Sequence, residues 1–177
     1  ALTTAFTGFL TFLADEAQLR DLTVWLLGSL GGASWTTVLG MLPFAVLVLV
    51  AVPQFSRTLN ALALGEEDAR LLGFYLNRTK NVLFAICTLG VAAGVSMTGT
   101  IGFVGLVVPH IVRELVGVDH RVLVPASAMF GALLLVMADT VCRVIIAPSE
   151  LPIGILTAAL GTPMFIHLLI RQKKRRQ

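Results

Sequence analysis

The chain has 177 residues, of which 56% are hydrophobic and only 13% are charged, and its mean hydropathy is +0.90. Soluble domains carry about 25% charged residues, so this composition excludes a fully water-facing surface and predicts a membrane protein. The formal net charge of +3 does not indicate a nucleic-acid partner, because the basic residues cluster at the ends of apolar segments, as topology signals do in membrane proteins.

The apolar runs predict an all-α fold, a polytopic bundle of transmembrane helices that forms one domain over residues 1–177. A spanning helix needs roughly 20 apolar residues, and the stretch 81–112 has no fixed charge and is too long for one span. We therefore divide it at the turn 98–100. The predicted membrane segments are then 1–13, 38–55, 81–97, 101–116, 122–143 and 151–170.

The first run begins at residue 1 inside an apolar stretch and has no initiator methionine. We therefore expect a fragment that lacks its N-terminal part. No basic region or cleavage site marks the start, so we expect no signal peptide.

Residues 14–37 differ from the segments around them. Charged residues are followed by an apolar run that glycines interrupt, with Trp25 and Trp35 near its two ends. Tryptophan is enriched in the headgroup layer, so we expect a short helix and a loop on the outer face of the membrane. The alternative is a further spanning helix.

The basic residues predict the orientation. If the C-terminus is cytoplasmic, the inside segments 56–80, 113–121 and 171–177 hold 11 of the 13 basic residues, and only Arg20 and Arg143 lie outside. Cytoplasmic loops carry an excess of Lys and Arg, so we expect a cytoplasmic C-terminus.

The longest predicted inside loop contains a helix signal at 60–74. Three acidic residues follow Gly65 and suit the positive end of a helix dipole. Arg70 lies four residues after Glu66, where the two can pair, and Gly73 can close the helix with a left-handed cap. The segment therefore predicts a short capped helix, which either connects two spans or contacts a partner.

Small residues recur in the middle of the chain and predict close helix packing. GxxxG occurs at Gly90 and Gly94, and the stretch GTIGFVGLVVPHIVR at 99–113 repeats glycine at every third position before a proline. The packing or pathway candidates here are Gly99, Gly102, Gly105 and Pro109. GTIGFVG lacks the Lys-Ser/Thr of a phosphate-binding loop, so we do not expect the chain to hydrolyse ATP.

The remaining polar candidates lie at segment ends. His110 and Arg113 fall near one helix face at the predicted cytoplasmic boundary, and Asp139 and Arg143 can pair at i, i+4 near the outer end. No Cys/His spacing suits a metal, and no motif indicates a cofactor. Cys87 and Cys142 are therefore expected to be inert buried thiols.

Three stretches resemble the vitamin B12 and iron-siderophore permeases, the membrane subunits of type II ABC importers. They are GTIGFVGLVVPHIVR at 99–113, LALGEEDARLLG at 62–73, and DTVCRVIIAPSELPIGILTAALGTPMFIHLLI at 139–170. The resemblance implies the permease fold, with this chain as the C-terminal half. It also implies that LALGEEDARLLG is a coupling helix that docks on an ATP-binding subunit. The residues that it assigns to this coupling are Gly65, Glu66, Ala69, Arg70 and Gly73.

The same resemblance implies further partners. Arg143 resembles an outer-face arginine that pairs with a glutamate of a periplasmic or lipid-anchored binding protein. His110 and Arg113 belong to a segment that shapes the cytoplasmic side.

The function implied is transport and not catalysis. Two permease subunits in a bacterial inner membrane would import an iron-siderophore, haem or cobalamin-type chelate, driven by a separate ATPase dimer. The alternative is an ion- or proton-coupled secondary transporter, which would carry charged residues at mid-membrane.

Overall fold

The computed structural model describes residues 2–145 and 151–175, with side chains described as far as residue 166. Over these residues the chain forms α-helices and no strand, which confirms the predicted all-α fold. The helices in chain order are α1 (Leu2–Leu13), α2 (Glu16–Leu27), α3 (Trp35–Gln54), α4 (Ser56–Leu64), α5 (Glu66–Leu71), α6 (Leu76–Thr98), α7 (Val104–Val116), α8 (His120–Ile145) and α9 (Ile153–Arg175).

Among the described helices, α3, α6 and α8 are long and apolar enough to cross a membrane. The apolar helices α1 and Ile153–Ile166 of α9 are shorter. Helix α7 has 13 residues, or about 20 Å at 1.5 Å per residue, against a hydrocarbon core of about 30 Å. The predicted segment 101–116 therefore consists of non-helical chain at 101–103 followed by the short helix α7.

Several predicted helix boundaries were displaced. The predicted starts at 81 and 122 followed the charged residues, whereas α6 and α8 begin at Leu76 and His120, because a helix can extend beyond the apolar core. Helix α3 begins at Trp35 and not at 38, since the Ser34 hydroxyl accepts a hydrogen bond from the Thr37 N–H at 3.2 Å and caps the helix.

Residues 14–37 contain the expected helix and loop. Helix α2 has 12 residues, about 18 Å, which is too short to span the membrane alone, and 28–34 are non-helical. The outer-face location of this segment stays a prediction.

Close packing joins the long helices in pairs. A Cβ on Gly90 of α6 would lie 2.5 Å from a methyl carbon of Val48 in α3, and one on Gly94 would touch Met41. The GxxxG pattern therefore lies against α3, as predicted. Helices α7 and α8 pack through a buried apolar cluster that contains Val108, Val112 and Leu123.

The connections gather at two opposite ends of the long helices. One end, which we name the α5 end, holds α4, α5 and the loop 117–119, where Asn60 of α4 bonds Asp119. The other end holds the last turn of α2, the turn 98–100 and the start of α9. Along the chain, the described connections therefore lie at one end and then at the other, as the prediction of the two membrane faces requires.

The end opposite the α5 end is held by backbone contacts at Gly28, Gly99 and Gly154, which we name the glycine junction. A Cβ on Gly99 would overlap the Trp25 carbonyl oxygen, and one on Gly154 would overlap that of Leu27. The Thr100 hydroxyl donates to the Leu26 carbonyl, and the Ser29 N–H donates to the Thr98 carbonyl at 2.8 Å. These bonds supply partners for carbonyls that a helix end leaves unpaired.

Candidate partner-binding surfaces

Helix α5 has a defined start and a defined stop. Gly65 separates it from α4 at φ +132°, a backbone conformation that favours glycine. At the other end Gly73 takes φ +84°, its N–H donates to the Arg70 carbonyl, and the Phe74 N–H donates to the Ala69 carbonyl. This pair of bonds is a Schellman motif, so both glycines that the sequence analysis singled out shape the short helix.

Ala69 holds α5 in place. Its side chain is 0% exposed and lies in an apolar cluster with Ala61 of α4 and Leu76 of α6. The methyl group of Ala69 therefore faces the interior, and the assignment of this residue to coupling stays a prediction. The sequence could not reveal this burial, since six residues are too few to define a buried face.

The exposed side of α5 is apolar at its C-terminal end. Leu71 and Leu72 are 87% and 62% exposed, and Glu66, Glu67 and Asp68 form the acidic first turn. Paired leucines at the tip of a polar helix are costly to hydrate. Leu71 and Leu72, which we name the leucine pair, are therefore the part of α5 best suited to contact another protein.

Glu66 sets the orientation of α5. Its carboxylate lies 3.9 Å from the Arg70 guanidinium and accepts a hydrogen bond from the Lys80 ammonium of α6. The Lys80 hydrogen bond and charge lower the pKa of Glu66, and Arg70 adds a smaller effect in the same direction. The sequence indicated the Arg70 partner through helix spacing but gave no signal for Lys80, which lies 14 residues away.

The glycine-rich stretch 99–113 divides into two environments. Gly99 belongs to the glycine junction, whereas a Cβ on Gly102 or Gly105 would meet nothing within 4 Å in the described chain. The predicted packing seam at Gly102 and Gly105 therefore has no neighbour among the described residues. A role for that face against other parts of the protein stays a prediction.

Pro109, His110 and Arg113 lie in the second half of α7. His110 Nε2 lies 3.8 Å from the Glu114 carboxylate, and the Arg113 carbonyl accepts a hydrogen bond from the Gly117 N–H at the helix end. These residues adjoin the loop 117–119, so they lie at the α5 end.

Asp139 and Arg143 pair on α8, as their spacing allowed. Arg143 Nε donates to Asp139 Oδ2 at 2.7 Å, and the arginine side chain is 47% exposed. The guanidinium thus has a local partner and an exposed part. The turn ELPIG begins at Glu150, which lies outside the described residues.

Within the described residues no group of three His, Cys, Asp or Glu side chains could hold a metal. Cys87 and Cys142 are free thiols. Cys142 is buried, as expected, but Cys87 is exposed on α6, because no described residue covers that face of the helix.

Comparison with known proteins identifies close sequence relatives. Residues 1–171 match the FecCD transport family. The chain is 43% identical to the hemin transport system permease protein HmuU of Yersinia pestis, over 99% of the chain and 53% of that protein. It is 46% identical to the cobalamin import system permease protein BtuC of Halobacterium salinarum, over 93% of the chain and 44% of that protein.

A solved structure described as an inward-facing conformation of a metal-chelate type ABC transporter superposes with a TM-score of 0.87. It is 33% identical in sequence, and the match covers 96% of this chain and 55% of that one. The chain thus spans about half the length of the relatives it matches.

Proposed function

Since this chain belongs to the FecCD transport family and is part of a multi-pass membrane protein, we propose that it forms part of the permease subunit of an ABC importer for a metal chelate. The relatives named for hemin and cobalamin transport support this substrate class. The permease would work as a pair of subunits and carry no catalytic site of its own, because a separate ATP-binding subunit supplies the energy.

The observation that carries the proposal is the leucine pair on α5. Two apolar side chains stand at the C-terminal end of a helix whose ends are set by Gly65 and Gly73 and which packs on α4 and α6 through the buried Ala69. A rigid apolar tip is pre-organised to dock, so that little ordering is needed when a partner binds. We assign this tip to contact with the ATP-binding subunit.

The opposite end would receive the substrate-binding protein. Arg143, near the end of α8, has an exposed part that could meet an acidic partner, although its Nε is bonded to Asp139. The α5 end and the C-terminus would face the cytoplasm, with Arg20 and Arg143 on the far side of a cytoplasmic membrane.

A secondary transporter is the weaker alternative. It predicts charged residues at mid-membrane, and Asp139 of α8 is the residue nearest to that description. Asp139 is paired with Arg143, and the solved structure that superposes on this chain is described as a metal-chelate type ABC transporter.

We expect Leu72→Asp in the complete permease, reconstituted with its ATP-binding subunit, to abolish chelate uptake and chelate-stimulated ATP hydrolysis. Placing a carboxylate in the centre of a protein interface costs roughly 2 kcal/mol or more, enough to lower the affinity for the ATPase at least tenfold. Uptake into proteoliposomes and ATP hydrolysis are the measurements.

Val118→Asp is the matched control for this change. Val118 is 71% exposed at the same end but lies in the loop 117–119 and not on α5, so this variant should retain coupling. Equal losses for both variants, or full coupling in Leu72→Asp, would contradict the assignment of α5. Uptake by the unaltered proteoliposomes without ATP would contradict the importer proposal itself.

The orientation has its own test. In a permease without Cys87 and Cys142, and without the ATP-binding subunit, a cysteine at position 70 should react with an impermeant maleimide only after the membrane is opened. A cysteine at position 20, on α2, should react in intact cells. Labelling of position 70 from outside would reverse the proposed topology.

A further inference from the structure

Helix α4 is joined to the start of α8 by a small polar network. Asn60 Nδ2 donates to Asp119 Oδ1 at 2.7 Å. Asn60 Oδ1 accepts from the backbone N–H of His120 at 2.8 Å, and the His120 ring Nδ1 lies 2.7 Å from the same oxygen. One side chain on α4 therefore bonds both the residue before α8 and its first residue.

The network completes the N-terminus of α8. The Asp119 side chain accepts from the Arg121 N–H at 2.9 Å, and its backbone carbonyl accepts from the Leu123 N–H at 2.8 Å. The first N–H groups of a helix have no partner within the helix. The Asp119 side chain caps that of Arg121, and Asn60, from another helix, caps that of His120.

The chemistry at position 60 is specific for an amide. The ionised Asp119 carboxylate can only accept and the His120 N–H can only donate, so residue 60 must offer a donor on one side and an acceptor on the other. These partners also fix the amide orientation and require the hydrogen of the His120 ring on Nδ1. The hydrogen bond from Asn60 also lowers the pKa of Asp119.

The position of Asn60 connects α5, through α4, with α8. Helix α4 is separated from α5 only by Gly65 and packs on it through Ala61 and Ala69. Helix α8 is long enough to cross the membrane, and Arg143 lies near its other end. A continuous series of contacts therefore runs from α5 to α4, and from α4 through Asn60 to the first turn of α8.

We propose that Asn60 is the positioning residue that transmits movement of the α4–α5 unit to α8, and hence links ATP hydrolysis to the transport pathway. This inference rests on the proposed function of α5 as the contact with the ATP-binding subunit. It assigns a role to a residue that touches neither that subunit nor the substrate.

The test uses the complete permease with its ATP-binding subunit in proteoliposomes. Asn60→Asp places a carboxylate against Asp119, and Asn60→Leu keeps the branched shape of the side chain but removes all three of its hydrogen bonds. Both variants should retain ATP hydrolysis but lose about fivefold or more of the chelate transported per ATP, in the range of ordinary coupling between sites. A purely structural role would lower both activities together.

Two further variants sharpen the result. Asn60→Asp combined with Asp119→Asn restores a donor opposite an acceptor and should recover part of the lost coupling. Asn77→Asp is the matched control, because Asn77 is exposed in the first turn of α6 at the same end and should leave coupling unchanged. Coupling that is normal in Asn60→Asp, or not recovered in the double variant, would overturn the inference.

Hydrogen exchange tests the Asn60 network independently of transport. The His120 amide should exchange about 2- to 10-fold faster in Asn60→Leu, the factor expected for one lost hydrogen bond, and should be unaffected in Asn77→Asp. Unchanged exchange at His120 would overturn the inference even if the importer function holds. If the unaltered permease shows ATP-driven uptake and Asn60→Asp has normal coupling, the proposed role of the Asn60 network is rejected. The proposed function of the protein would then still hold.

Discussion

Replacing Gly154 with alanine should strongly destabilise the complete permease. A Cβ at this position would overlap the Leu27 carbonyl oxygen and lie 2.9 Å from the Leu27 carbonyl carbon. These are backbone atoms, so no side-chain rotation can relieve the overlap, and either α2 or the start of α9 must shift. Overpacked sites cost typically 1–3 kcal/mol, and the lost backbone contact places Gly154→Ala at about 3 kcal/mol. Thermal unfolding in detergent measures it.

Gly8→Ala, in α1, provides the matched control. It introduces the same methyl group into the same protein, but nothing lies within 4 Å of its Cβ in the described chain. Alanine is favoured over glycine in a helix by up to about 1 kcal/mol, so this variant should be neutral or slightly more stable. Equal unfolding temperatures for the two variants would show that the contact between α2 and α9 does not constrain Gly154.

Arg143→Glu should weaken capture of the substrate-binding protein at least tenfold. The change removes a cation from a face where Arg20 is the other predicted outer cation, and it places a second carboxylate beside Asp139, which lies one helical turn away. Truncating one partner of a desolvated ion pair costs about 2–5 kcal/mol. Binding of the purified binding protein to the permease in nanodiscs, at low and high salt, measures the effect.

A charge reversal on the partner distinguishes docking from a local role. If Arg143 meets a glutamate of the binding protein, changing that glutamate to arginine should partly restore the affinity of Arg143→Glu. Asp139→Asn is the control on the permease side, because it removes the local partner of Arg143 but keeps the cation. Unaltered capture by Arg143→Glu at low salt would assign this arginine to the pair with Asp139 alone.

The sequence predicted those features that repeat at short range. Apolar runs predicted the helices, GxxxG predicted the approach of α6 to another helix, and the spacing of Glu66 and Arg70 predicted their ion pair. Gly73 predicted the end of α5 because a left-handed cap has a local chemical requirement. Each of these signals lies within one helix or one turn.

The contacts that join distant segments left no such signal. The glycine junction involves positions 28, 99 and 154, and the Asn60 network joins residues about 60 positions apart. Gly99 belongs to the glycine repeat at 99–113, but the repeat does not distinguish it from Gly102, which has open space around it in the described chain. No pattern in the sequence connects Gly99 with Gly28 and Gly154, or Asn60 with Asp119. The burial of Ala69 was missed for a related reason, since α5 is too short to show a hydrophobic face.

The unequal lengths of α6 and α7 have a consequence for the surrounding lipid. Their 23 and 13 residues correspond to about 34 and 20 Å, so we expect the non-helical stretch 99–103 to reach a depth that acyl chains would otherwise occupy. Irregular backbone is tolerated there only when protein or water covers it. Ile101 packs against the cluster that contains Ala138 and Ile153, and the ring of Phe103 fills the space beside Gly161. Ile101 and Phe103 are thus partly covered by this chain, whereas Thr100 and Gly102 are exposed in the part of the chain that the structure describes. We therefore expect another part of the complete permease, or water, to cover these two residues.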